Sequence, residues 1–225
     1  MAAPNCLVAN DWICWEYVRS RSQELTDATL QHVWITLASV LIGVAVSVPL
    51  ALLARRGRRW AAPVLTVTTL LYTVPSLAMF SLLLPLFGLS AALVVTGLVL
   101  YSLTILVRNV LAGLEAVPEE VREAARGMGY GPGRLLWQVE LPLALPALLA
   151  GVRIATVSTV ALTTVGSIVG AGGLGNLIAP AVQSSFKAQV LTASVLCVLL
   201  ALAADLLLLG VQRLVTPWTR AAKGA

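Results

Sequence analysis

The chain has 225 residues, of which 59% are hydrophobic and only 11% are charged, and its mean hydropathy is +0.91. A soluble domain carries about a quarter charged residues, so this composition excludes a soluble enzyme and predicts an integral membrane protein. The net charge of +5 does not indicate nucleic-acid binding, because the fifteen Lys and Arg residues lie scattered at the ends of apolar segments and form no basic face.

Residues 1–31 are predicted to form an extracytoplasmic tail. Trp12, Trp15 and Tyr17 suit the headgroup region of a bilayer, where amphipathic aromatic rings settle, so we expect a short interfacial helix here. The start of the chain lacks the basic and long apolar regions of a cleavable signal, so we expect the first spanning helix to direct membrane entry. The sequence leaves open whether Cys6 and Cys14 form a disulfide, which requires an oxidising compartment.

Five apolar runs are long enough for a spanning helix of about 20 residues. They lie near His32 to Ala54, Trp60 to Phe87, Leu89 to Val107, Leu143 to Val169 and Val190 to Leu209. The runs are continuous and do not alternate, and an open sheet would leave backbone groups unpaired in lipid. The predicted fold is therefore an all-α polytopic membrane protein, with a transmembrane domain over residues 32–212 and a cytoplasmic tail over 213–225.

The orientation of these helices follows from the bias of Lys and Arg toward cytoplasmic loops. With five crossings, three basic groups fall on one side: Arg55, Arg56, Arg58 and Arg59; Arg108, Arg122, Arg126 and Arg134; and Arg213, Arg220 and Lys223. The opposite side holds only Arg19, Arg21 and Lys187. The sequence therefore predicts an outward amino terminus and a cytoplasmic carboxyl terminus.

Prolines fall in or near the first two predicted helices, where they are expected to kink or end them. The bend at residues 73–76 is either an irregular segment that lines a pathway or a plain packing kink. Candidate pathway residues are Tyr72, Pro75, Ser76, Thr163 and Ser167. In helix four, small residues recur every fourth position from Ala147 to Thr159, which predicts close approach of another helix.

A polar interlude over about residues 108–142 separates the third and fourth apolar runs. Pro118 suits the first position of a helix, Glu119 and Glu120 complement its positive end, and Gly127 and Gly129 end it. An apolar stripe opposite the charges would consist of Val117, Val121, Ala124, Ala125 and Met128. Such a stripe either lies in a groove on a partner protein or rests on the membrane surface.

The spacing within this interlude resembles a known motif. Glu123-Ala124-Ala125, then Gly129, then Val139-x-Leu141-Pro142 resemble the EAA loop of ABC-importer permeases, with Val in place of the usual Ile. The resemblance implies that a short helix docks on a cytoplasmic ATPase, with coupling residues Glu123, Ala124, Ala125, Gly129, Leu141 and Pro142, and a docking face of Val117, Val121 and Met128. A second short helix is expected at residues 134–139, and Pro142 and Pro146 would mark re-entry into the bilayer.

Further segments are similar to permease subunits of osmoprotectant importers, which carry glycine betaine, choline, carnitine or related compounds. These segments include Val74-Pro75-Ser76-Leu77-Ala78, Gly113-Leu114 and the stretch from Glu123 to Arg153. The resemblance implies a five-helix type I permease in a bacterial cell membrane, a second permease subunit, ATPase subunits that bind ATP and Mg, and an external binding protein. Methionine-type importers share the five helices and the loop, so a methionine permease is the alternative within the same class.

Asp205 lies within the fifth apolar run, where an ionisable side chain needs a partner or a cavity. Its depth matches that of Arg153 in helix four, so we predict an Arg153 to Asp205 ion pair. A secondary transporter or channel that uses Asp205 as its ion site is the alternative of another class.

Other motifs offer no chemistry. Residues 170–175 match GxGxxG literally, but they follow an apolar helix instead of a strand, so we interpret them as a flexible or tightly packed turn. His32 is the only histidine and is interpreted as an interfacial cap, since a metal site or a catalytic triad would lack its other members. The sequence also has no Walker A pattern. It therefore predicts no catalytic residue, no metal and no cofactor in this chain.

Overall fold

The computed structural model describes residues 5–218, which form helices joined by short turns. We number the α-helices in chain order: α1 Cys6–Ala9, α2 Trp15–Ser20, α3 Ser22–Arg55, α4 Arg58–Thr73, α5 Ser76–Phe87, α6 Ala91–Glu115, α7 Glu119–Gly127, α8 Pro132–Leu135, α9 Leu141–Thr163, α10 Gly175–Gln183 and α11 Lys187–Val215. A π-helical turn, Leu136–Glu140, connects α8 to α9, and a 3-10 helix, Thr164–Val169, follows α9. The described part of the chain is thus all-α, as the sequence predicts.

Within residues 5–218, four helical segments are long and apolar enough to cross a membrane: α3, α6, α11 and the continuous stretch Pro132–Val169. A fifth crossing is present if the bent pair α4 and α5 counts as one span. The first span begins at Ser22, ten residues before its predicted start, so the end of the predicted tail is helical.

The second predicted span is not one helix. It breaks after Thr73, and Pro75 forms the N-cap of α5 with extended backbone angles of φ −57° and ψ 139°. Proline has no N–H to donate, and its ring disfavours the α conformation in the residue before it. These two constraints favour a helix end before Pro75, but they do not decide it alone, because Pro49, Pro63 and Pro85 remain inside helices.

The chain between the short loop after α7 and the fourth span also differs from the prediction. The expected second short helix at 134–139 does not end before the span, because α8, the π-turn and α9 follow one another without a break. Pro142 and Pro146 therefore do not mark an interruption. Pro142, the second residue of α9, and Pro146 both lie within this continuous helical stretch.

The described residues form two compact units. The first contains residues up to 41, 74–99 and 156–204, and the second contains 42–73, 100–155 and 205 onward. In the first unit one apolar cluster is formed by Cys14, Tyr17, Leu25, Leu174, Leu177, Ala188 and Ala193. A second cluster there is formed by Ile35, Phe80, Leu93, Val94, Leu98 and Ala171. The core of the second unit consists of Ala51, Ala54, Val107, Val110, Leu111, Leu114 and Ala144.

Small residues bring α6 and α9 together in the second unit. A Cβ on Gly113 would lie 3.0 Å from the Cβ of Ala147 and 2.9 Å from a methyl of Leu148, and a Cβ on Gly151 would overlap the side chain of Asn109. Without a hydrophobic drive in lipid, such close backbone approach is a main source of helix association. The small-residue stripe predicted for helix four therefore packs against α6 at these positions.

The amino-terminal segment is fixed to the first unit. Cys6 and Cys14 form a disulfide, and the side chain of Asn10 accepts a bond from the Lys187 amide at 2.9 Å. Trp12 and Trp15 are exposed, as an interfacial role requires. Tyr17 is buried instead, because its ring packs edge-on against Phe186 with the centroids 5.4 Å apart.

Candidate coupling site

Helix α7 is built from residues suited to a short, independent helix. Glu119 and Glu120 occupy its first turn and Arg126 its last, which complements the helix dipole at both ends. The Glu119 carboxylate accepts bonds of 2.9 Å from Arg122 and from Arg126. The Arg122 guanidinium, followed by that of Arg126, holds the pKa of Glu119 below its usual value. Pro118 is the N-cap, one position earlier than the sequence predicts.

The end of α7 is set by Gly129, which has a φ of 86°. Residues with a Cβ rarely adopt this left-handed conformation, whereas glycine does so at little cost. The amide of Tyr130 then bonds back to the carbonyl of Ala125 at 3.1 Å, and the chain turns toward α8. Gly129 therefore redirects the chain after the helix.

The two sides of α7 differ in exposure. Glu123, Ala124, Val121 and Met128 are exposed, and Met128 is 70% accessible. Ala125 is buried inside the chain. We call Val121, Ala124 and Met128 the exposed face of α7. This face is narrow and apolar, with the Glu120 and Glu123 side chains beside it.

One predicted docking residue is wrong. Val117 is only 3% exposed, so a partner cannot reach it. It precedes the N-cap Pro118 and lies outside the helix. The helical periodicity that placed Val117 on the same stripe as Val121 does not extend past a cap, where backbone angles are no longer helical.

A buried carboxylate lies behind α7. Glu140 is 2% exposed, and its two oxygens accept bonds from both terminal nitrogens of Arg55, one of them at 2.6 Å. The Nε of Arg122 donates to the same carboxylate at 3.0 Å. We call Arg55, Arg122 and Glu140 the Glu140 cluster. Bidentate pairing to one arginine and a further bond to another satisfy a charge that would otherwise be costly to bury.

Arg122 extends this network to a further helix. Its Nη2 donates to the carbonyl of Leu114, one of the last four residues of α6, whose carbonyls have no partner within the helix. The Arg122 side chain is 14% exposed. One arginine thus connects α7 with the end of α6 and with Glu140.

A surface groove of about 620 Å³ adjoins the cluster. Its lining includes Arg55, Arg56, Arg126, Tyr130 and Glu140. Tyr130 also lies under the guanidinium of Arg134, 4.5 Å from the ring centroid. The groove is therefore bordered by α7, by the end of α3 and by α8.

Similarity to known proteins identifies the family of the chain. Residues 36–221 match the family described as the binding-protein-dependent transport system inner membrane component. The chain belongs to this family of ABC-importer permeases. The permease is accordingly a multi-pass protein of a bacterial cell membrane, in a family whose members work with ATPase and binding-protein partners.

Curated relatives match over nearly their whole length. The osmoprotectant import permease protein OsmW of Salmonella typhimurium is 36% identical over 89% of this chain and 96% of its own. The choline transport system permease protein OpuBB of Bacillus subtilis is 30% identical, over 90% and 93%. The glycine betaine/carnitine/choline transport system permease protein OpuCD of the same species is 35% identical, over 83% and 82%.

Solved structures show the same fold. A chain of the inward-facing methionine ABC transporter MetNI superimposes with a TM-score of 0.78 at 25% identity, over 85% of the permease and 96% of that chain. A second crystal form of MetNI gives a TM-score of 0.80 at 22% identity. The all-α, type I importer architecture predicted from the sequence is therefore confirmed.

The predicted pathway residues lie in different settings. Tyr72 is exposed near the end of α4 and meets the Tyr101 ring edge-on, with centroids 6.2 Å apart. Pro75 and Ser76 form the start of α5. Ser167 lines a surface groove of about 470 Å³ together with Gly170, Asn176, Pro180 and Gln183.

Thr163 does not suit a pathway. It is fully buried, its hydroxyl donates to the Thr159 carbonyl at 2.8 Å, and the Thr36 hydroxyl lies 3.4 Å away. A side chain enclosed by its own chain cannot contact a passing solute. Hydrophobic patterning could not show this, because a threonine fits either a buried helix contact or a polar lining.

His32 and the GxGxxG segment belong to one packed structure. His32 is completely buried, so it is not an interfacial cap. Its Nε2 lies 3.0 Å from the Val160 carbonyl, and its Nδ1 accepts a bond from the Leu174 amide at 3.3 Å. A Cβ on Gly173 would lie 2.6 Å from the His32 Cβ. The turn at 170–175 is therefore tightly packed, one of the two alternatives that the sequence left open.

Arg153 and Asp205 form a bidentate pair, with Nε to Oδ1 and Nη2 to Oδ2 both at 2.9 Å. Gln212 extends the pair: its amide oxygen lies 3.4 Å from Arg153 Nη1, and its Nε2 donates to the Pro146 carbonyl at 3.1 Å. Both Asp205 oxygens are thus occupied by a partner within the chain.

Sequence reasoning missed Glu140, Arg55 and Gln212. For Glu140 a signal was present: it is a lone acid at the start of an apolar run, where an unpaired charge is costly. Its two arginine partners are 85 and 18 residues away, so the pairing itself cannot be derived from local spacing.

Proposed function

We propose that this permease translocates a small osmoprotectant, such as glycine betaine, choline or carnitine, in an importer driven by ATP. A partner ATPase binds ATP and Mg and docks on the exposed face of α7, a second permease subunit completes the pathway, and an external binding protein delivers the solute. The permease itself has no catalytic site and holds no cofactor. The exposed face of α7, placed over the buried Glu140 cluster, is the observation that carries this proposal.

The choice of solute rests on the relatives, whose names specify osmoprotectants, choline, carnitine and glycine betaine. The fold does not discriminate, because a methionine transporter has the same architecture. In the proposed pathway Tyr72, Pro75, Ser76 and Ser167 border the solute. Thr163 is omitted because it is buried.

The orientation in the proposal has the tail 1–31 outside, the domain 32–212 in the membrane and residues 213–225 in the cytoplasm. The bias of Lys and Arg supports it. The disulfide between Cys6 and Cys14 supports it independently, because disulfides persist in oxidising compartments and not in the cytosol. With this orientation α7 lies on the side where ATP is available.

The alternative of a secondary transporter or channel needs Asp205 as an ion site. Both oxygens of this carboxylate accept a bond from Arg153, whose charge balances that of Asp205 and favours a structural ion pair over an ion site. We therefore favour the importer.

The test begins with co-purification of the permease with its partner ATPase. The wild-type chain is expected to retain the ATPase, and Ala124→Asp, which puts a charge on the exposed face of α7, is expected to lose it. Ala116→Asp is the matched control, since Ala116 is also exposed but precedes α7. ATPase retained by Ala124→Asp would contradict docking at this face.

The solute is tested separately, with the cognate binding protein and the complex in nanodiscs. Glycine betaine, choline, carnitine and methionine are each titrated into the binding protein, and ATP hydrolysis by the complex is measured with each loaded form. Stimulation by one of the first three and not by methionine is expected. Stimulation by methionine alone would overturn the osmoprotectant assignment and leave the importer assignment in place.

A further inference from the structure

We propose that the buried Glu140 carboxylate is the positioning residue through which movement of α7 reaches the long helices α3 and α9. The inference rests on the proposed docking of an ATPase on α7 and names the side chains that connect this helix to the rest of the chain. It concerns the Glu140 cluster, which lies on the side of α7 opposite the exposed face.

The first step of the argument is where the cluster residues lie. Arg55 is the last residue of α3, Glu140 is the last residue of the π-turn that leads directly into α9, and Arg122 lies in the middle of α7. The Leu114 carbonyl, which Arg122 also contacts, lies at the end of α6. Three long helices and α7 therefore meet at one carboxylate and one guanidinium.

The second step is that the main chain offers a poor alternative route. After α7 the chain passes through Met128 and Gly129 to Gly131, and Gly129 and Gly131 have no neighbour within 4 Å of a Cβ position. Backbone hydrogen bonds form this turn, but glycine tolerates a wider range of dihedral angles than other residues, so the turn yields more easily than a helix. A displacement of α7 would be absorbed in this segment unless side chains tie the helix to α9 directly.

The third step concerns burial and charge. The Arg122 side chain is 14% exposed, whereas the side chains of Glu119 and Arg126 are each more than half exposed. Arg122 therefore points away from the partner surface, toward the permease. The bonds to Glu140 join charged groups and are directional, so they tie α7 to α9 and, through the same carboxylate, to α3.

The fourth step is the π-helical turn. A π-turn inserts one extra residue into a helix and changes the direction of the side chains beside it, and such turns are frequent at functional sites. In the permease this turn ends at Glu140. The irregular turn is thus located where a carboxylate is directed at two arginines from other helices.

Two substitutions separate coupling from folding. Glu140→Gln keeps the shape of the side chain but removes the charge that both arginines share. Arg122→Gln leaves the Arg55 to Glu140 pair intact and removes the bonds from α7 to Glu140 and to the Leu114 carbonyl. Glu115→Gln is the matched control, because the same change is made at an exposed acid at the end of α6, outside the cluster.

The measurement uses the full importer in nanodiscs and proteoliposomes, with its ATPase and loaded binding protein. We expect Glu140→Gln and Arg122→Gln to retain the ATPase and hydrolyse ATP without the binding protein at the wild-type rate. Stimulation by the binding protein and the number of solute molecules transported per ATP should each fall at least about tenfold. Glu115→Gln should match the wild type in every measurement.

The outcomes distinguish the two levels of the proposal. A wild-type permease that retains no ATPase would overturn the proposed function itself. If the ATPase binds and both cluster variants transport as much solute per ATP as the wild type, the role of Glu140 is refuted. Loss of the ATPase from both variants would show that the cluster only maintains the structure, and this also refutes the role. If Glu140→Gln alone fails to assemble, Arg122→Gln decides.

Discussion

Gly129 is the residue whose identity the backbone constrains most directly in the coupling loop. Its φ of 86° lies in the left-handed region, and no atom lies within 4 Å of a Cβ position. A Cβ there would meet no neighbour within this chain, so a substitution acts on the chain itself through backbone strain. That strain is about 1–2 kcal/mol for a residue with a Cβ.

We predict that Gly129→Val lowers solute uptake at least about tenfold while membrane insertion stays normal. Valine is strained in this backbone region, and a tenfold change corresponds to about 1.4 kcal/mol, which lies within that strain. Gly131→Ala should transport normally, since Gly131 has a φ of −69° and equally open surroundings. Uptake into proteoliposomes is the measurement. Equal uptake by Gly129→Val and Gly131→Ala would show that the left-handed turn is dispensable.

At the residue scale, the EAA spacing could be read directly from the sequence. The sequence also predicted where α7 ends, because capping residues and glycine act through local backbone geometry. It misplaced Val117, Thr163 and His32, all of which are buried. Burial depends on which distant segment covers a residue. Thr163 and His32 are enclosed by contacts over 127 and 128 residues of chain, which no local pattern encodes.

At the scale of elements, the second predicted span is the main correction. Its hydropathy is continuous from Trp60 to Phe87, so composition alone predicts one helix. The structure ends α4 at Thr73 and begins α5 at Ser76. The sequence marked residues 73–76 as a bend, yet it could not distinguish a kink from a break, because neighbouring contacts decide whether a proline is accommodated within a helix.

The link between α9 and α11 offers a quantitative test. Removing one member of the Arg153 and Asp205 pair leaves a charge in apolar surroundings. We predict that Arg153→Leu and Asp205→Leu each lower the unfolding temperature of the permease, because each removes a bidentate hydrogen bond between charged groups. The double variant should be more stable than either single one, since both charges are then absent.

Thermal unfolding of the three variants in nanodiscs measures this effect. A double variant that unfolds at the temperature expected from adding the two single effects would argue against direct coupling. Transport that is lost in Asp205→Leu but also in the stable double variant would favour the ion-site alternative instead.

At the scale of the whole molecule, the orientation is the prediction that most affects function. In a Cys197→Ser background, a cysteine at Ser184, between α10 and α11, should react with an impermeant maleimide in intact cells. A cysteine at Arg58, the first residue of α4, should react only after the membrane is opened. Both sites are exposed at the ends of helices, so the comparison reports membrane side. The reverse labelling pattern would invert the proposed topology and place α7 away from ATP.

The family and the broad architecture were available from the sequence alone. Apolar runs of membrane length, the distribution of arginines and the Glu123 to Pro142 spacing each depend on residues close together in the chain, and the bilayer imposes a simple length requirement on helices. These features determined an all-α permease and located α7, the proposed coupling helix.

Only the tertiary structure showed what lies behind that helix. The bonds from Arg55 and Arg122 to Glu140 join residues from three separate elements, and the exposed face of α7 is defined by what the rest of the chain leaves uncovered. The physical reason is that a buried charge and a surface are both collective properties. Each depends on the free energy of packing several distant segments together, and no single segment specifies it.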